Sequence, residues 1–523
     1  MYLFYRSLTT GPSYFLVMGV FLLVFIASCK DSAQELNNTK LNKPNIIIIV
    51  TDDAGYSDYS FMGSKISTPN IDKLSESSFV FPNFYNNGRC SPTRASLLTG
   101  HYPQKVGVGE LSRPSTETTL PGYLGFLSLA YTTLAEILQN RGYHTIMSGK
   151  WHLGGQKTGR INEESKWPLQ RGFDSFYGIL GGTVRSHFQP SLGDRYMYNN
   201  EMVPVDIYDS DYYSTDALTD HILESLDENF SEERKPFFAY MPLFAPHLPL
   251  EAPEILVDKY RKIYSIYDDL LDLKRSRLEG LKSEGLVDSD VLPNLELYSS
   301  SKRLSHESKV TAMATHAAMI ENVDNNIGRL ISQLKRSGQY QNTIIILFSD
   351  NGVSANGISD IFNSPFYGRK GMLWEGGIKA PLIVSWPELN DRKRIVKQAW
   401  HVMDVMPTIL DITGREDKSL TGRSFKSVLE EKKPSSEYYI DRDFIFWSDR
   451  KLSAGINKDG MKWIRVDSLG NFLYDLRVDP TELNNLKEEQ PAIVQEFRRR
   501  FNIHRKENNV ESFNVVQNSR LVN

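Results

Sequence analysis

This chain has few cysteines, no excess of basic residues over acidic ones and no internal repeat. Its 523 residues include only two cysteines, too few for a disulfide framework. Lys and Arg total 60 against 64 Asp and Glu, which gives a formal net charge of −4. Because no basic excess is available to bind phosphates, a role in binding DNA or RNA is disfavoured. The absence of repeats and of collagen-like or coiled-coil composition argues against a fibrous or repeat protein.

Length and composition instead indicate a folded protein with a large core. Hydrophobic residues make up 40% of the chain and charged residues 24%, a balance that disfavours wholesale disorder. Domains usually contain about 100–200 residues. The length therefore predicts one large α/β domain with an appendage, or two to three modules.

The first 43 residues have the features of an export signal followed by a tether. Arg6 precedes an apolar run at residues 14–28, which is short for a membrane-spanning helix but suits a secretory signal. Small residues stand directly before Cys29, as in bacterial lipoprotein signals; an ordinary signal peptide with a fortuitous cysteine is the alternative. We predict a signal peptide at 1–28, lipidation of Cys29 including palmitate, and a tether at 29–43. Such an anchor implies the bacterial cell envelope, at the outer membrane, facing the periplasm or the surface.

Alternating strand and helix patterns follow the tether. The run NIIIIV at residues 45–50 predicts a strand covered on both faces, and TIIILF at 343–348 predicts a second. Residues 237–241 and 145–147 are shorter strand candidates, and helical patterns close at Gly142 and Gly338. This alternation predicts an α/β fold, a large mostly parallel or mixed sheet with helices on both faces.

The pattern changes near residue 433. Short strands and a final helix near residues 491–501 predict a small C-terminal α+β subdomain with an antiparallel sheet at 433–523. The large domain then covers residues 44–432. Within it, the charged, tyrosine-bearing segment 254–306 is predicted to be a helical insertion.

Acidic pairs follow both strongly apolar strands. Asp52 and Asp53 end the first, and Asp350 and Asn351 end the second. Ligands of open α/β sheets bind at the carboxyl ends of the strands, so neighbouring strands would bring these four side chains together. Hard oxygen ligands favour Ca²⁺ or Mg²⁺ over zinc. The alternative is that each pair simply caps a strand or the following helix.

Cys90 begins a segment, CSPTRASLLTG at residues 90–100, that predicts a loop entering a short helix. Pro92 suits the first helical turn and Gly100 the far end. Cys90 would then face the positive N-terminus of the helix, where an oxyanion is stabilised, with Arg94 one turn away. On these grounds alone, a buried cysteine beside an incidental arginine is an equal alternative.

The segment CSPTR, followed by LLTG at residues 97–100, resembles the signature of type I sulfatases of the alkaline-phosphatase superfamily. Four further segments resemble motifs of this arylsulfatase-like family: GKWHLG at 149–154, APH at 245–247, KGMLWEGG at 370–377, and LYDL with DPTE at 473–482. The resemblance spans residues 45–486. One departure is Thr93, where serine or alanine is expected.

The resemblance implies a chemistry for Cys90. A maturation enzyme would oxidise it to formylglycine (3-oxoalanine), whose hydrate attacks sulfur with one hydroxyl and expels sulfate by collapse of the other. Asp52, Asp53, Asp350 and Asn351 would hold one divalent cation, preferably Ca²⁺ and less favourably Mg²⁺, with the Cys90 hydrate as a further ligand.

The resemblance also implies roles for five nearby cationic and imidazole side chains. Arg94 would favour the ionised hydrate, and Lys150 and His152 would contact it, with His152 as the base that breaks the hemiacetal. His247 would protonate the leaving oxygen. Lys370 would bind the sulfate and the bridging oxygen.

A sulfatase acting on a sulfated polysaccharide or oligosaccharide is therefore predicted, with the glycan, the maturation enzyme and the lipid bilayer as partners and no nucleic acid. Two alternatives remain: a phosphodiester or phosphonate monoester hydrolase on the same fold, and a non-catalytic glycan-binding lipoprotein. Residues 185–187 and the tyrosine-rich segment 208–213 are candidates for a sugar pocket or for ordinary surface loops.

Overall fold

A mixed sheet forms the centre of the protein. The computed structural model describes residues 43–520 apart from 156–162, 191–195, 205–210, 232–233, 268–269, 297–303, 355–356 and 432–441. The predicted signal peptide, Cys29 and the tether up to residue 42 lie outside the described residues. Within the described ranges, no helix combines the length and apolar character needed to cross a bilayer.

The strands of the described ranges are β1 (Asn45–Thr51), β2 (Ser78–Phe81), β3 (Phe84–Tyr85), β4 (His144–Lys150), β5 (Ser175–Ile179), β6 (Tyr196–Tyr198), β7 (Glu201–Met202), β8 (Phe237–Pro242), β9 (Thr343–Ser349), β10 (Leu382–Ser385), β11 (Arg394–Ile395), β12 (Trp400–His401), β13 (Phe444–Asp449), β14 (Leu452–Asn457), β15 (Met461–Val466) and β16 (Gly470–Asp475). Ten of these described strands form the main sheet in the order β11-β2-β10-β9-β1-β8-β4-β5-β6-β7. Its centre, β9-β1-β8-β4-β5, is parallel, whereas β10 and β6 join antiparallel.

β1 shows why the sheet is covered on both faces. All seven of its residues are buried. Ile47 and Ile49 pack into one hydrophobic cluster, and Ile46 and Ile48 into another on the opposite face. Burying one isoleucine side chain contributes about 1.5–3 kcal/mol, so a continuous apolar run is stable only between two layers.

The α-helices of the described ranges are α1 (Pro69–Ser75), α2 (Cys90–Thr99), α3 (Leu134–Asn140), α4 (Ser214–Ser231), α5 (Glu254–Tyr264), α6 (Leu270–Ser283), α7 (His306–Arg336), α8 (Ser359–Phe362), α9 (Glu375–Ile378), α10 (Val405–Ile412), α11 (Lys426–Glu430), α12 (Pro491–Glu507) and α13 (Phe513–Asn518). Helices α1, α4, α5 and α7 pack on one face of the sheet, and α2, α3 and α10 on the other. The predicted α/β class is thereby confirmed.

The C-terminal sheet β13–β16 is antiparallel throughout, as predicted. Phe497 and Phe501 of α12 pack with Trp463 on one face. The other face packs against residues of the large domain that include Tyr85 and Trp374. Strand β14 was not predicted, because its sequence LSAGIN is short of large apolar residues. Gly455 explains the composition, since a Cβ at this position would lie 2.6 Å from the Phe446 ring.

The predicted division into domains stays a prediction. Its boundary at residue 433 lies outside the described residues. The segment 254–306 contains α5 and α6. Helix α5 packs against α7, with Tyr260 buried between them and a 2.7 Å ion pair from Lys259 to Glu321.

Candidate active site

The two predicted acidic pairs lie side by side. β1 and β9 are parallel neighbours, with Thr51 directly opposite Ser349. Both chains then leave the sheet at the same edge, so Asp52, Asp53, Asp350 and Asn351 meet there, none of them more than 2% exposed. Asp53 adopts a left-handed backbone with φ of 69°, which turns the chain sharply after Asp52.

Cys90 completes this cluster from the other side. It is the first residue of α2, and Gly100 ends the helix with φ of 69°. Pro92 lies in the first turn, where its missing N–H has no helical partner to lose. The Cys90 Sγ is 3.5 Å from Asp52 Oδ1 and 3.5 Å from Asn351 Oδ1. Ligand atoms of the three aspartates and Cys90 all lie within 4.8 Å of one another.

The donor set fits a hard divalent cation. Three carboxylates and an amide oxygen are the ligand types that Ca²⁺ and Mg²⁺ prefer. In the described part of the chain, the buried Asp53 Oδ2 has no hydrogen-bond donor. Leaving a buried carboxylate oxygen unsatisfied is costly. An ion at this edge of the sheet would supply the missing partner.

Three cationic side chains surround the carboxylates. The Arg94 guanidinium donates to Asp350 Oδ2 from Nη2 at 2.7 Å and from Nε at 3.2 Å. Lys150 Nζ forms an ion pair with Asp52 Oδ2. Lys370 Nζ lies 2.6 Å from Asp53 Oδ1. The three positive charges match the three carboxylates one for one.

Burial and these charges set the protonation of the cluster. Burial raises the pKa of Asp52, but nearby cations, led by Lys150, outweigh it and hold that pKa well below its ordinary range. Burial and the adjacent Asp52 charge raise the pKa of Asp350 to about 6. Burial and the same charge raise the pKa of the Cys90 thiol to about 11. At neutral pH the unmodified Cys90 is therefore a thiol and a poor nucleophile.

The two predicted histidines, His152 and His247, line the same cavity as Cys90. His152 is 3% exposed, and its Nδ1 has no hydrogen-bond partner among the described residues. A Cβ at Gly182 would lie 2.4 Å from the His152 ring, so only glycine fits there. Burial, reinforced by Lys150 and Arg94, lowers the pKa of His152 well below its ordinary value.

His247 is more accessible. Its side chain is 20% exposed, and Nε2 is 3.8 Å from Asp53 Oδ2. Burial lowers the His247 pKa, and the charges of Asp53 and Asp52 partly oppose this effect. The structure thus brings every predicted catalytic and metal-binding side chain into one cluster, whereas Cys29 lies outside the described residues.

His187 lies buried behind His247 and holds its backbone, a role that its sequence segment does not reveal. Its ring is fully buried, with Nε2 3.2 Å from the His247 carbonyl and Nδ1 2.7 Å from Ser214 Oγ. Burial lowers the pKa of His187 to about 4, so a neutral ring donates to the carbonyl and accepts from the serine. Of the segment 185–187, His187 is therefore a support and Arg185 is exposed. Of the segment 208–213, residues 208–210 lie outside the described residues and Tyr213 is buried.

Thr93, the departure from the expected signature, has a structural contact of its own. Its hydroxyl donates to the Asp350 carbonyl at 2.7 Å and accepts from the Asn87 N–H at 3.0 Å. A serine could make the same hydrogen bonds, and threonine adds a methyl group that is fully buried. Threonine at position 93 therefore keeps the contact with Asp350 at the end of β9.

A cavity of about 760 Å³ opens above Cys90. Its lining residues are Arg89, Cys90, Leu111, Arg113, Pro114, Ser115, His152, Gly182, Thr183, His247, Leu248, Ser354 and Lys370. Arg89 is fixed by a 2.6 Å ion pair with Asp449 at the end of β13. The lining therefore combines predicted catalytic groups with residues such as Arg113, for which the sequence contains no signal.

Comparison with known proteins identifies the family. The sulfatase family model matches residues 44–415, and a model described as N-sulphoglucosamine sulphohydrolase, C-terminal, matches residues 365–507. An uncharacterized sulfatase of Schizosaccharomyces pombe is 32% identical over 87% of this chain and 92% of its own length. An arylsulfatase of Klebsiella aerogenes is 30% identical over 72% of this chain and 88% of its own. The chain belongs to the sulfatase family, which confirms the predicted class of enzyme.

Solved structures share the fold. The crystal structure of Ps i-CgsB, also solved with k-i-k-neocarrahexaose, superposes with a TM-score of 0.69 at 24% identity, over 90% of this chain and 95% of its own. A protein crystallised with its substrate D-glucosamine-2-N,6-O-disulfate gives a TM-score of 0.62 at 22% identity, over 89% and 98%. A phosphonate monoester hydrolase of Agrobacterium radiobacter gives 0.59 at 20% identity, over 89% and 96%. At these identities the likeness concerns the fold alone.

Proposed function

We propose that this sulfatase acts through formylglycine made from Cys90 and removes sulfate from a sulfated carbohydrate. One observation carries the proposal, the position of the Cys90 Sγ. This atom lies 3.5 Å from oxygens of Asp52 and Asn351. Cys90 itself lines the cavity and is the first residue of α2. A group attached here would face the carboxylates, the cations and the substrate at once.

Modification of Cys90 accounts for its surroundings better than a thiol does. The raised pKa of the Cys90 thiol leaves little thiolate at neutral pH. A hydrated aldehyde would supply a hydroxyl nucleophile and a second hydroxyl through which sulfate is released without attack of water on sulfur. The N-terminus of α2 and the Arg94 guanidinium both favour negative charge at that position.

We propose Ca²⁺ as the metal, with Mg²⁺ as the less favoured ion. Asp52, Asp53, Asp350 and Asn351 would hold it, together with an oxygen of the modified Cys90. When bound, the ion supplies positive charge beside the nucleophile and the sulfate. Since the charges of the three cations and three carboxylates already cancel, a divalent ion leaves the site with net positive charge even when the Cys90 hydrate is ionised, and this charge attracts an anionic ester.

The chain's own cations would bind the sulfate group. Lys150 and Lys370 are held beside the carboxylates in a buried site. Fixed donors in such a site stabilise charge that develops in the transition state more strongly than donors in water do. Arg94 is fully buried and pinned by Asp350, so we assign it to the nucleophile end of the site.

His247 and His152 would move the protons. His247 is the more accessible histidine and faces the cavity, which suits an acid that protonates the departing sugar oxygen. His152 is buried and neutral, with an unpaired ring nitrogen. A neutral imidazole beside Cys90 suits the base that takes a hydroxyl proton when sulfate is released.

A carbohydrate substrate is supported by two observations. The cavity of about 760 Å³ is large enough for sugar rings beyond the sulfate itself. Two proteins of the same fold were crystallised with k-i-k-neocarrahexaose and with D-glucosamine-2-N,6-O-disulfate. We further propose that a maturation enzyme oxidises Cys90 and that lipidated Cys29 anchors the protein in the cell envelope, where glycans too large for import are available.

Mass spectrometry of the peptide that contains Cys90 tests the proposal. After co-expression with a formylglycine-generating enzyme, we expect the mass of the aldehyde, and sulfate release from a model aryl sulfate. Phosphate release from aryl phosphodiesters and phosphonate monoesters is measured on the same sample and should be much slower. An unmodified thiol with no turnover would favour the non-catalytic glycan-binding alternative, and faster phosphodiester cleavage would favour the other.

A further inference from the structure

Two arginines of the described residues, Arg89 and Arg113, line the cavity above Cys90, and their environments differ. The Arg89 guanidinium is neutralised by Asp449 at 2.6 Å, and only 15% of its side chain is exposed. Arg113 is exposed and forms no ion pair with any carboxylate in the described part of the chain. Among the described residues that line the cavity there is no aspartate or glutamate. Arg113 therefore presents an uncompensated positive charge to whatever fills the cavity.

The segment that contains Arg113 is hydrogen-bonded to α2, the helix that begins with Cys90. The Ser112 N–H donates to Ser91 Oγ at 3.0 Å, and Ser91 directly follows Cys90. The Ser112 hydroxyl donates to the Gly125 carbonyl at 2.5 Å. Arg113 is thus one residue away from an anchor that is itself one residue away from Cys90. These hydrogen bonds hold the backbone next to Arg113 close to the start of the helix that begins with Cys90.

A short turn after Arg113 fixes its backbone further. Residues Pro114–Thr116 form a single turn of 3-10 helix. The Thr116 hydroxyl donates to the Leu111 carbonyl at 2.6 Å and accepts from the Arg113 N–H at 3.1 Å. Leu111 and Pro114 also line the cavity, so the lining next to Arg113 in the chain is partly apolar. A charge-assisted hydrogen bond formed within such a lining is stronger than one in open water.

The other cationic side chains of the site already form ion pairs with carboxylates. Arg94, Lys150 and Lys370 each pair with a carboxylate of the metal cluster. In the proposed function, these side chains and the metal ion bind the sulfate that is removed. A second anionic group of the substrate would find Arg113 as its partner at the edge of the cavity.

We propose that Arg113 binds a second oxyanion of the substrate, so that the enzyme selects glycans carrying a further sulfate or a carboxylate close to the sulfate it removes. This inference rests on the proposed function. A guanidinium matches both anions, since each presents two oxygens to its parallel N–H donors. The substrate class is thereby narrowed from sulfated carbohydrate to polyanionic carbohydrate.

Matched substrates test the proposal. The set consists of a neutral aryl monosulfate, a hexose monosulfate, the corresponding hexose disulfate, and a monosulfated disaccharide whose second ring is a uronic acid. For the wild-type enzyme we expect kcat/KM to be about tenfold higher for at least one doubly anionic sugar than for the hexose monosulfate, equivalent to about 1.4 kcal/mol. The disulfate and the uronate substrates distinguish the two sources of the anion.

Arg113→Gln should remove this preference chiefly through KM, and Arg113→Lys should keep part of it, because the charge remains and the fork of donors is lost. The preference of the wild type should also shrink as salt is added. Arg465→Gln is the control, since Arg465 is likewise exposed but lies on β15, away from the lining of the cavity. Unchanged preference in Arg113→Gln, or an equal loss on the neutral aryl sulfate and the doubly anionic sugar, would overturn the proposal.

Calorimetry on the Cys90→Ala variant gives a second measurement that does not depend on turnover. The hexose disulfate should bind about tenfold more tightly than the hexose monosulfate, and Arg113→Gln in the same background should abolish the difference. Equal affinities for the two sugars would refute the role of Arg113 even if sulfatase activity is established. Absence of aryl sulfate turnover in verified, matured wild-type enzyme would instead refute the proposed function.

Discussion

Lys462 and Glu375 form a 2.7 Å ion pair in which both side chains are completely buried. Lys462 belongs to β15 of the C-terminal sheet, and Glu375 begins α9, five residues after Lys370. Lys462 also lies 2.8 Å from Glu482, and Lys379 lies 3.2 Å from Glu375. This network connects the C-terminal sheet to the segment that carries Lys370 into the active site.

Lys462→Met should strongly destabilise the protein. Removing this charge leaves two buried carboxylates, for which Lys379 is the remaining ion-pair partner among the described residues, and breaking a buried pair costs about 3–5 kcal/mol. Chemical denaturation should show a fall of that size in the free energy of unfolding. Lys506→Met removes an exposed lysine and serves as the control. Equal stability of the two variants would show that the buried network contributes little.

The sheet was predictable from sequence because its central strands are unusual. A run such as that of β1 or β9 is stable only when both faces are covered, so composition alone assigns the layer. β14 could not be assigned in this way. Its Gly455 is required by the Phe446 ring that packs over it, and that contact exists only after the strands pair.

The residues of the candidate site also fall into two groups, those that the sequence predicts and those that only the structure reveals. Residues in short motifs, such as Cys90, Arg94 and His152, were identified because their order along the chain is distinctive. Arg113 lies in a segment without a recognisable motif, and the sequence marks His187 only as part of a candidate sugar pocket or surface loop. The folded chain brings Arg113 to the lining of the cavity and places the His187 ring in contact with the His247 carbonyl. The His187 ring bonds to the His247 carbonyl and to the Ser214 hydroxyl, contacts that no local sequence pattern reveals.

Cys90→Ala should abolish sulfate release while the fold is retained. The side chain lies at the floor of the cavity, and its removal deletes the proposed nucleophile but no buried salt bridge. We expect turnover of an aryl sulfate to fall on the order of 10⁴-fold or more. Circular dichroism and the thermal midpoint should match the unmatured wild-type protein. Sulfate release at wild-type rate would refute the assignment of Cys90.

Chelation should lower both activity and thermal stability. An ion among Asp52, Asp53 and Asp350 binds the folded chain only, and saturation at a hundred times Kd contributes about 2.7 kcal/mol. Treatment with EDTA and gel filtration should reduce the thermal midpoint, and Ca²⁺ should restore it more effectively than Mg²⁺. Asp53→Asn should blunt the response to Ca²⁺. A midpoint insensitive to EDTA and to Ca²⁺ would contradict a metal site.

His247→Gln should affect substrates according to their leaving groups. A sugar alcohol needs a proton as it departs, and loss of a general acid costs about 10²–10⁴-fold. A nitrophenolate leaves readily without one, so its sulfate ester should lose far less activity. The measurement is the ratio of kcat/KM for a sugar sulfate to that for nitrophenyl sulfate. An equal loss on both esters would assign His247 to sulfate binding instead.

His504 should make the protein sensitive to acid. Its ring is buried among Tyr102, Phe446 and Phe501, and burial lowers its pKa to about 3 from an ordinary value of 6.5. Between these values the unfolded chain binds a proton that the folded chain does not, so lowering the pH through this window favours unfolding. The resulting loss in the free energy of unfolding between pH 6.5 and pH 5 is about 2 kcal/mol.

The variant His504→Gln tests this expectation. Glutamine keeps an acceptor for the Asn508 side chain and does not titrate, so the free energy of unfolding of the variant should fall less steeply with acid than that of the wild type. Denaturation curves at both pH values provide the test, and parallel losses in the two proteins would show that the folded chain admits the proton at His504.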